Sequence, residues 1–205
     1  AAQNGHRGTV LKLASLGAHP DASDFDGTTP LICVCQEGFE TLVDALVDCG
    51  ADINAKDHDG LTPFIIAAEN GQNGCLRRLH VRGCDVHCVD EYGDSAVWCA
   101  AQEGHADTIA LCAEMGAALS LPSATGASPL YVAAQNGHLA AVSALVRLGA
   151  DVHSARNNGA TPLFIAAESG HEAVVRALVQ GGADPNAARH DGVTALEMAR
   201  CTTHD

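Results

Sequence analysis

The sequence predicts an all-α fold, an α-solenoid of short helix-turn-helix repeats joined by β-hairpin or turn fingers. Three observations carry that prediction. Gly27, Gly60, Gly93, Gly126, Gly159 and Gly192 recur every 33 residues without a slip. Two further series keep the same period, Gly5 to Gly170 and Gly17 to Gly182. At a fixed offset after the first series stands a hydroxyl residue, usually followed by proline: Thr29-Pro30, Thr62-Pro63, Ser128-Pro129 and Thr161-Pro162. A period of this length marks repeats that bury their apolar faces only against neighbours. Function is therefore to be read from the faces of a stacked array.

The period divides the chain into a partial repeat at 1–23, full repeats at 24–56, 57–89, 90–122, 123–155 and 156–188, and a partial repeat at 189–205, all within a single domain over 1–205. In each full repeat the hydroxyl caps a first helix, and proline at its first position loses nothing because its missing N–H has no helical partner there. Ser95-Ala96 and Thr194-Ala195 keep the cap without the proline. Ala67-Ala68, Ala100-Ala101, Ala133-Ala134 and Ala166-Ala167 then keep the first helices slim, so that neighbours approach closely. Glycine ends each first helix. A second helix follows, with apolar residues at helical spacing, as in Leu42, Val43, Leu46 and Val47. Aromatic residues make up only 3% of the chain, too few for an ordinary large core but enough where Ala, Val and Leu fill a stack of short helices. The chain begins and stops inside a repeat, and is expected to be a fragment of something longer, whose ends either fray in isolation or continue into more repeats.

Repeat five reads Asn158-Gly-Ala-Thr-Pro-Leu-Phe-Ile-Ala-Ala-Glu-Ser-Gly-His171, then Val174, Val175, Leu178 and Val179, then Gly182-Ala-Asp-Pro-Asn186. It resembles the ankyrin repeat, and the resemblance covers the whole chain. It implies a turn and two antiparallel helices per repeat, with fingers projecting to one side. It also implies a non-catalytic module that binds a protein or peptide on a concave face made of finger tips and the exposed side of the first helices. Transferred repeat by repeat, the candidate binding residues are Phe25, Asp26, Gln36, Glu37, His58, Asp59, Glu69, Asn70, Glu91, Tyr92, Asp94, Gln102, Glu103, Gln135 and Asn136. Phe25 and Tyr92 are the expected anchors, since exposed aromatics bury much area at small entropic cost. An architectural spacer in a larger protein, such as an enzyme or a ubiquitin-ligase adaptor, is the alternative, and a metal- or redox-responsive array using Cys75, Cys84, His87 and Cys88 is a third reading. Asn54 and Asn186 weakly fit a family pattern for asparaginyl hydroxylation.

Net charge is −14, and it is unevenly spread. The repeats at 24–56 and 90–122 each carry −6, while 123–155 is neutral. Nucleic acid is a poor partner for such a surface, because phosphate binding needs Lys and Arg. A basic peptide or domain fits better, although acidity alone also keeps a solenoid from self-association. No apolar run is long enough to span a membrane.

Nine cysteines and eleven histidines invite a metal reading. Cys75, His80, Cys84, His87 and Cys88 form the one cluster with zinc-ligand residue types. Yet Cys84 and Cys88 fall where the repeat prefers alanine, so small buried thiols in a reducing compartment, cytoplasmic or nuclear, are expected, with no cofactor. His6, His105, His138 and His171 recur at the turn between helices and have a structural role. The second helix of repeat two departs from the pattern at Gln72, Gly74, Arg78 and His80 and is expected to be the least regular. There is no phosphate-cradling loop, nucleophile elbow or metalloprotease motif, so neither enzyme activity nor a small-molecule substrate is expected. The histidine of the family's T-P-L-H segment is replaced by Ile32, Ile65, Trp98, Tyr131, Phe164 and Glu197, which predicts that neighbouring repeats are tied by burial there.

Overall fold

The computed structural model describes residues 2–202. Twelve helices are found among them: α1 Arg7–Ser15, α2 Pro30–Glu37, α3 Glu40–Asp48, α4 Pro63–Glu69, α5 Asn73–Val81, α6 Ala96–Gln102, α7 Ala106–Glu114, α8 Pro129–Gln135, α9 Leu139–Arg147, α10 Pro162–Glu168, α11 Glu172–Gln180 and α12 Ala195–Thr202. Each spans seven to nine residues, too short to persist alone in water. Their stability comes from stacking. The fingers contain no extended strand among the described residues, only isolated antiparallel bridges at Val89–Ser95 and Ala188–Thr194.

The caps follow the sequence closely. Thr62 Oγ1 accepts from Ile65 N at 3.2 Å, Ser128 Oγ from Tyr131 N at 3.2 Å and Thr161 Oγ1 from Phe164 N at 3.2 Å, each with proline in the first turn. In the last repeat Glu197 reaches back to Thr194 N at 2.8 Å while Thr194 Oγ1 accepts from Glu197 N at 3.4 Å. That reciprocal pair is a capping box. It explains why a carboxylate can stand at Glu197, where the other repeats place a large, mainly apolar side chain.

The chain divides into two compact units, Ala1–Ala96 and Val97–Asp205. In the first, α2 packs on α3 and α4, α4 on α5, and the second helices α1, α3 and α5 form their own row. Leu31, Ile32, Val34, Leu42, Val43, Phe64, Ile65, Leu76 and Leu79 fill the core. In the second unit α8 packs on α9 and α10, α10 on α11 and α12, and α7, α9 and α11 form the row of second helices. Leu130, Tyr131, Val142, Leu145, Leu163, Phe164, Val174 and Leu178 fill that core.

At the position of the absent family histidine, Ile32, Ile65, Tyr131 and Phe164 are buried. Trp98 is half-buried and donates its indole N–H to the Ala127 carbonyl oxygen at 3.1 Å. It therefore ties its repeat to the next by a hydrogen bond as well as by burial.

The expected irregularity of α5 takes a different form. Gln72 Nε2 donates to the Gln36 carbonyl oxygen at 3.2 Å. The rings of His138 and His171 meet the equivalent oxygens of Gln102 and Gln135 at 2.8 and 2.9 Å. Glutamine thus does the work of the turn histidine. Arg78 pairs with Asp44 at 3.1 Å and Arg82 with Asp48 at 2.5 Å, tying α5 to α3. Gly74 leaves room for Glu40, whose carboxylate would clash with a Cβ there. Cys75, Leu76 and Leu79 are fully buried. The departures from pattern in α5 are thus fitted to the acidic face of α3.

Candidate functional site

Each finger of the first unit opens with an aspartate that organises its own turn. Asp24 Oδ1 accepts from Asp26 N at 3.1 Å and Thr28 N at 2.9 Å. Asp57 Oδ1 holds Asp59 N and Leu61 N, and Asp90 Oδ1 holds Tyr92 N and Asp94 N, all at 2.8–3.1 Å. Such side-chain bonds to the backbone fix a turn without a β-ladder. Consecutive fingers are joined by the main chain: His58 N donates to Asp26 O at 3.0 Å and Glu91 N to Asp59 O at 3.0 Å.

That close approach depends on glycine. Gly27 and Gly60 have φ of +81° and +79°, and a Cβ on Gly60 would lie 2.9 Å from Glu91 N. A side chain there would be strained twice, by conformation and by contact.

The tips are consequently set in a row with their side chains free. Phe25 is 100% exposed and Tyr92 63%. Asp26, His58, Asp59 and Glu91 are exposed between them, as are Gln36 and Glu37 at the end of α2. Glu69, ending α4, is half-buried, and Asn70 turns its amide back to donate to the Ile66 carbonyl oxygen at 2.9 Å.

Asp94 stands apart from this set. It is only 9% exposed, and its Oδ1 is buried without a hydrogen-bond partner. Burial, followed by the charge of Asp90, pushes its carboxyl up to about 6. The sequence suggests a surface charge at this tip, but the position next to the cap turns away from solvent: Ala127 and Ala160 are buried there too, and Thr28, Leu61 and Val193 are half-buried. Asp94 thus belongs to the interior and not to an accessible acidic face.

The second unit offers a different surface. Gln102, half-buried, donates to exposed Glu103 at 3.1 Å; Gln135 and Asn136 are exposed, with Asn136 donating to the Gln102 carbonyl oxygen at 3.0 Å. Its fingers carry Ala124, Thr125, Asn157 and Asn158 where the first unit carries aromatics and acids. At 189–191 a cation takes over the finger: the Arg189 guanidinium lies 5.1 Å from the Phe164 ring centroid and pairs with Asp191. That pairing holds the Asp191 carboxyl down at about 2.

The thiols and histidines of repeat two do not converge. Cys75 Sγ points to the Val34 carbonyl oxygen at 3.9 Å, and Cys88 Sγ lies 3.1 Å from Thr62 Oγ1. Cys84 is buried, which pushes its thiol up to about 12 and keeps it protonated. His80 and His87 are exposed. Among the described residues no three His, Cys, Asp or Glu side chains are placed to hold a metal ion, and no helix is long and apolar enough to cross a membrane.

The geometry is that of a repeat array with presented tips, and the relatives agree. The family described as "Ankyrin repeats (3 copies)" matches residues 1–79 and 64–156, and that described as "Ankyrin repeat" matches 158–190. Among solved structures, the ankyrin repeat domain of Bcl-3, described as a unique member of the IkappaB protein family, is similar. Its TM-score is 0.86 at 30% identity, over 98% of this chain and 92% of that one. The human ASB11 ankyrin repeat domain gives 0.87 at 25% identity, over 97% and 89%. No curated protein sequence matches. Ankyrin repeat domains are in general protein–protein interaction modules and typically act as non-catalytic adaptors. The 33-residue period, the capped helix pairs and these matches together place the chain in the ankyrin repeat family.

Proposed function

We propose that this chain is a non-catalytic binding module whose site is the row of finger tips in the first unit, and that its partner is a basic protein or peptide with an apolar anchor. The observation that carries the reading is Phe25. A phenylalanine wholly in solvent, on a turn fixed by Asp24 and bonded to the next finger, gains nothing for the fold. Isolated exposed apolar residues are common, but here Tyr92 stands in the same row, and Asp26, Asp59 and Glu91 surround the pair. Aromatic anchors within a charged rim are what a protein interface uses. The acids would steer a cationic partner from a distance, and salt would screen that attraction.

Selection from a random peptide display library tests this. The intact chain should enrich Lys- and Arg-bearing peptides, and a Phe25→Ala/Asp59→Lys/Tyr92→Ala variant of equal circular dichroism should lose them. Enrichment of neutral or acidic peptides, or equal enrichment by both proteins, would overturn the proposal.

A further inference from the structure

Where repeats one and two meet, the array replaces its usual small apolar contacts with two thiols. The second residue of the Ala-Ala step is Ala68, Ala101, Ala134 and Ala167 in repeats two to five, but Cys35 in repeat one. The third residue of the second helix is Leu42, Thr108, Ala141 or Val174 elsewhere, but Cys75 in α5. Both cysteines are 0% exposed, as are Ala134 and Ala141 at the same two repeat positions. Alanine therefore fills these places without sulfur.

The fold brings the two thiols together. The bond from Gln72 Nε2 to the Gln36 carbonyl oxygen sets the start of α5 on the end of α2. One turn into α5, Cys75 Sγ lies 3.9 Å from the Val34 carbonyl oxygen, next to Cys35. There the Cys35 thiol donates a hydrogen bond to the Cys75 sulfur. That bond makes the pair unequal. It pulls the Cys75 thiol down, against burial and the charge of Glu40, and with burial it pushes the Cys35 thiol well up. Cys75 also stands in the first turn of α5, where a helix favours an anion. A thiolate beside a second thiol is the arrangement that sulfur oxidation uses. Cys84, its thiol pushed up to about 12, stays protonated.

We propose that Cys35 and Cys75 form a peroxide-sensitive dithiol that closes to a disulfide between repeats one and two. The Cys75 thiolate attacks one oxygen of hydrogen peroxide. The O–O bond breaks, Cys75 becomes a sulfenic acid, and the departing hydroxide takes up the proton that Cys75 had shed. The Cys35 sulfur then attacks the Cys75 sulfur. The S–S bond forms as the S–O bond breaks, and the second hydroxide leaves as water with the proton that Cys35 had carried. Overall each thiol loses one electron and one proton, and one peroxide becomes two waters. Peroxide reaches the pair when the first turn of α5 opens, a turn with no side-chain cap and with Gly74 in it. The new bond closes the chain between residues 35 and 75 and ties α5 to α2, which restricts the unfolded chain and holds the junction shut.

Treating the reduced full chain with hydrogen peroxide, then unfolding it in N-ethylmaleimide and measuring its mass, tests the assignment. The unaltered chain should take two labels fewer than its reduced form, and a non-reducing peptide map should join the peptides of Cys35 and Cys75. Its melting temperature should rise by about 5–10 °C and fall back with dithiothreitol. Cys35→Ala and Cys75→Ala place the residue found at those positions in other repeats. Each should keep the native circular dichroism spectrum and lose both the link and the rise, whereas Cys84→Ala should keep both. Full labelling after peroxide, oxygen adducts without a link, a link between other cysteines, or a Cys35–Cys75 link that leaves the melting temperature unchanged would each overturn the proposal.

Discussion

The side-chain amide of Gln72 donates to the Gln36 carbonyl oxygen at 3.2 Å, making the bond that His138 makes to Gln102 in the second unit. Two chemically different side chains meet one requirement, a donor over the C-terminus of the preceding first helix. Gln72→Ala should therefore destabilise the first unit by about 1 kcal/mol, the net worth of a typical hydrogen bond. Gln72→His should restore most of it. Urea unfolding of the two variants checks this; equal losses would show that the donor is not what matters.

Gly60 carries both a positive φ and a close contact with Glu91 N. Gly60→Ala should cost about 1–3 kcal/mol, as strained backbone positions do. It should also loosen the bond from Glu91 N to Asp59 O, so faster amide hydrogen exchange at Glu91 would accompany the lower melting temperature.

Asp94 should make stability fall with rising pH. Its carboxyl titrates near 6 in the fold and near 3.8 outside it, so between these values the folded chain binds the extra proton. Stability contributed by the neutral form is complete below about pH 4 and is lost as pH rises through 6. Asp94→Asn removes the titration. At pH 7.5 it should be more stable than the unaltered chain by about 1–3 kcal/mol, and near pH 4 the two should coincide. Paired thermal melts at the two pH values give the answer directly; a gap of the same size at both would assign the effect to packing.

Trp98 is the sole tryptophan, half-buried and bonded to Ala127. Trp98→Phe should lose about 1 kcal/mol with the bond. Trp98→Ala should lose more, because ring burial goes too at about 25 cal/mol per Å². An unchanged melting curve for Trp98→Ala would remove the residue from the packing of the second unit.

Much of the fold was legible because its signals are local. A hydroxyl before proline can be read as a cap from the sequence, and Thr62, Ser128 and Thr161 cap as expected. Glu197 was legible only as a departure from an apolar position. Its role became visible with the reach back to Thr194, although the T-x-x-E spacing of a capping box was there to be read. Gln72 and Arg78 looked irregular because a pattern compares residue types, whereas the fold requires a donor over Gln36 and a cation beside Asp44. Asp94 misled for the opposite reason. It sits two residues from exposed Tyr92 in a turn whose tips vary freely, and one step along that turn the chain passes from solvent into the interior.

The bonds between fingers join main-chain atoms, His58 N to Asp26 O and Glu91 N to Asp59 O, and Asp24, Asp57 and Asp90 lock each turn from its base. Side chains at 25, 26, 58, 59, 91 and 92 are left out of the scaffold's own wiring. Substitutions at those tips can change what is recognised while the framework stays as it is. Evolution, or an engineer, can therefore rewrite this edge one residue at a time, with no intermediate that fails to fold.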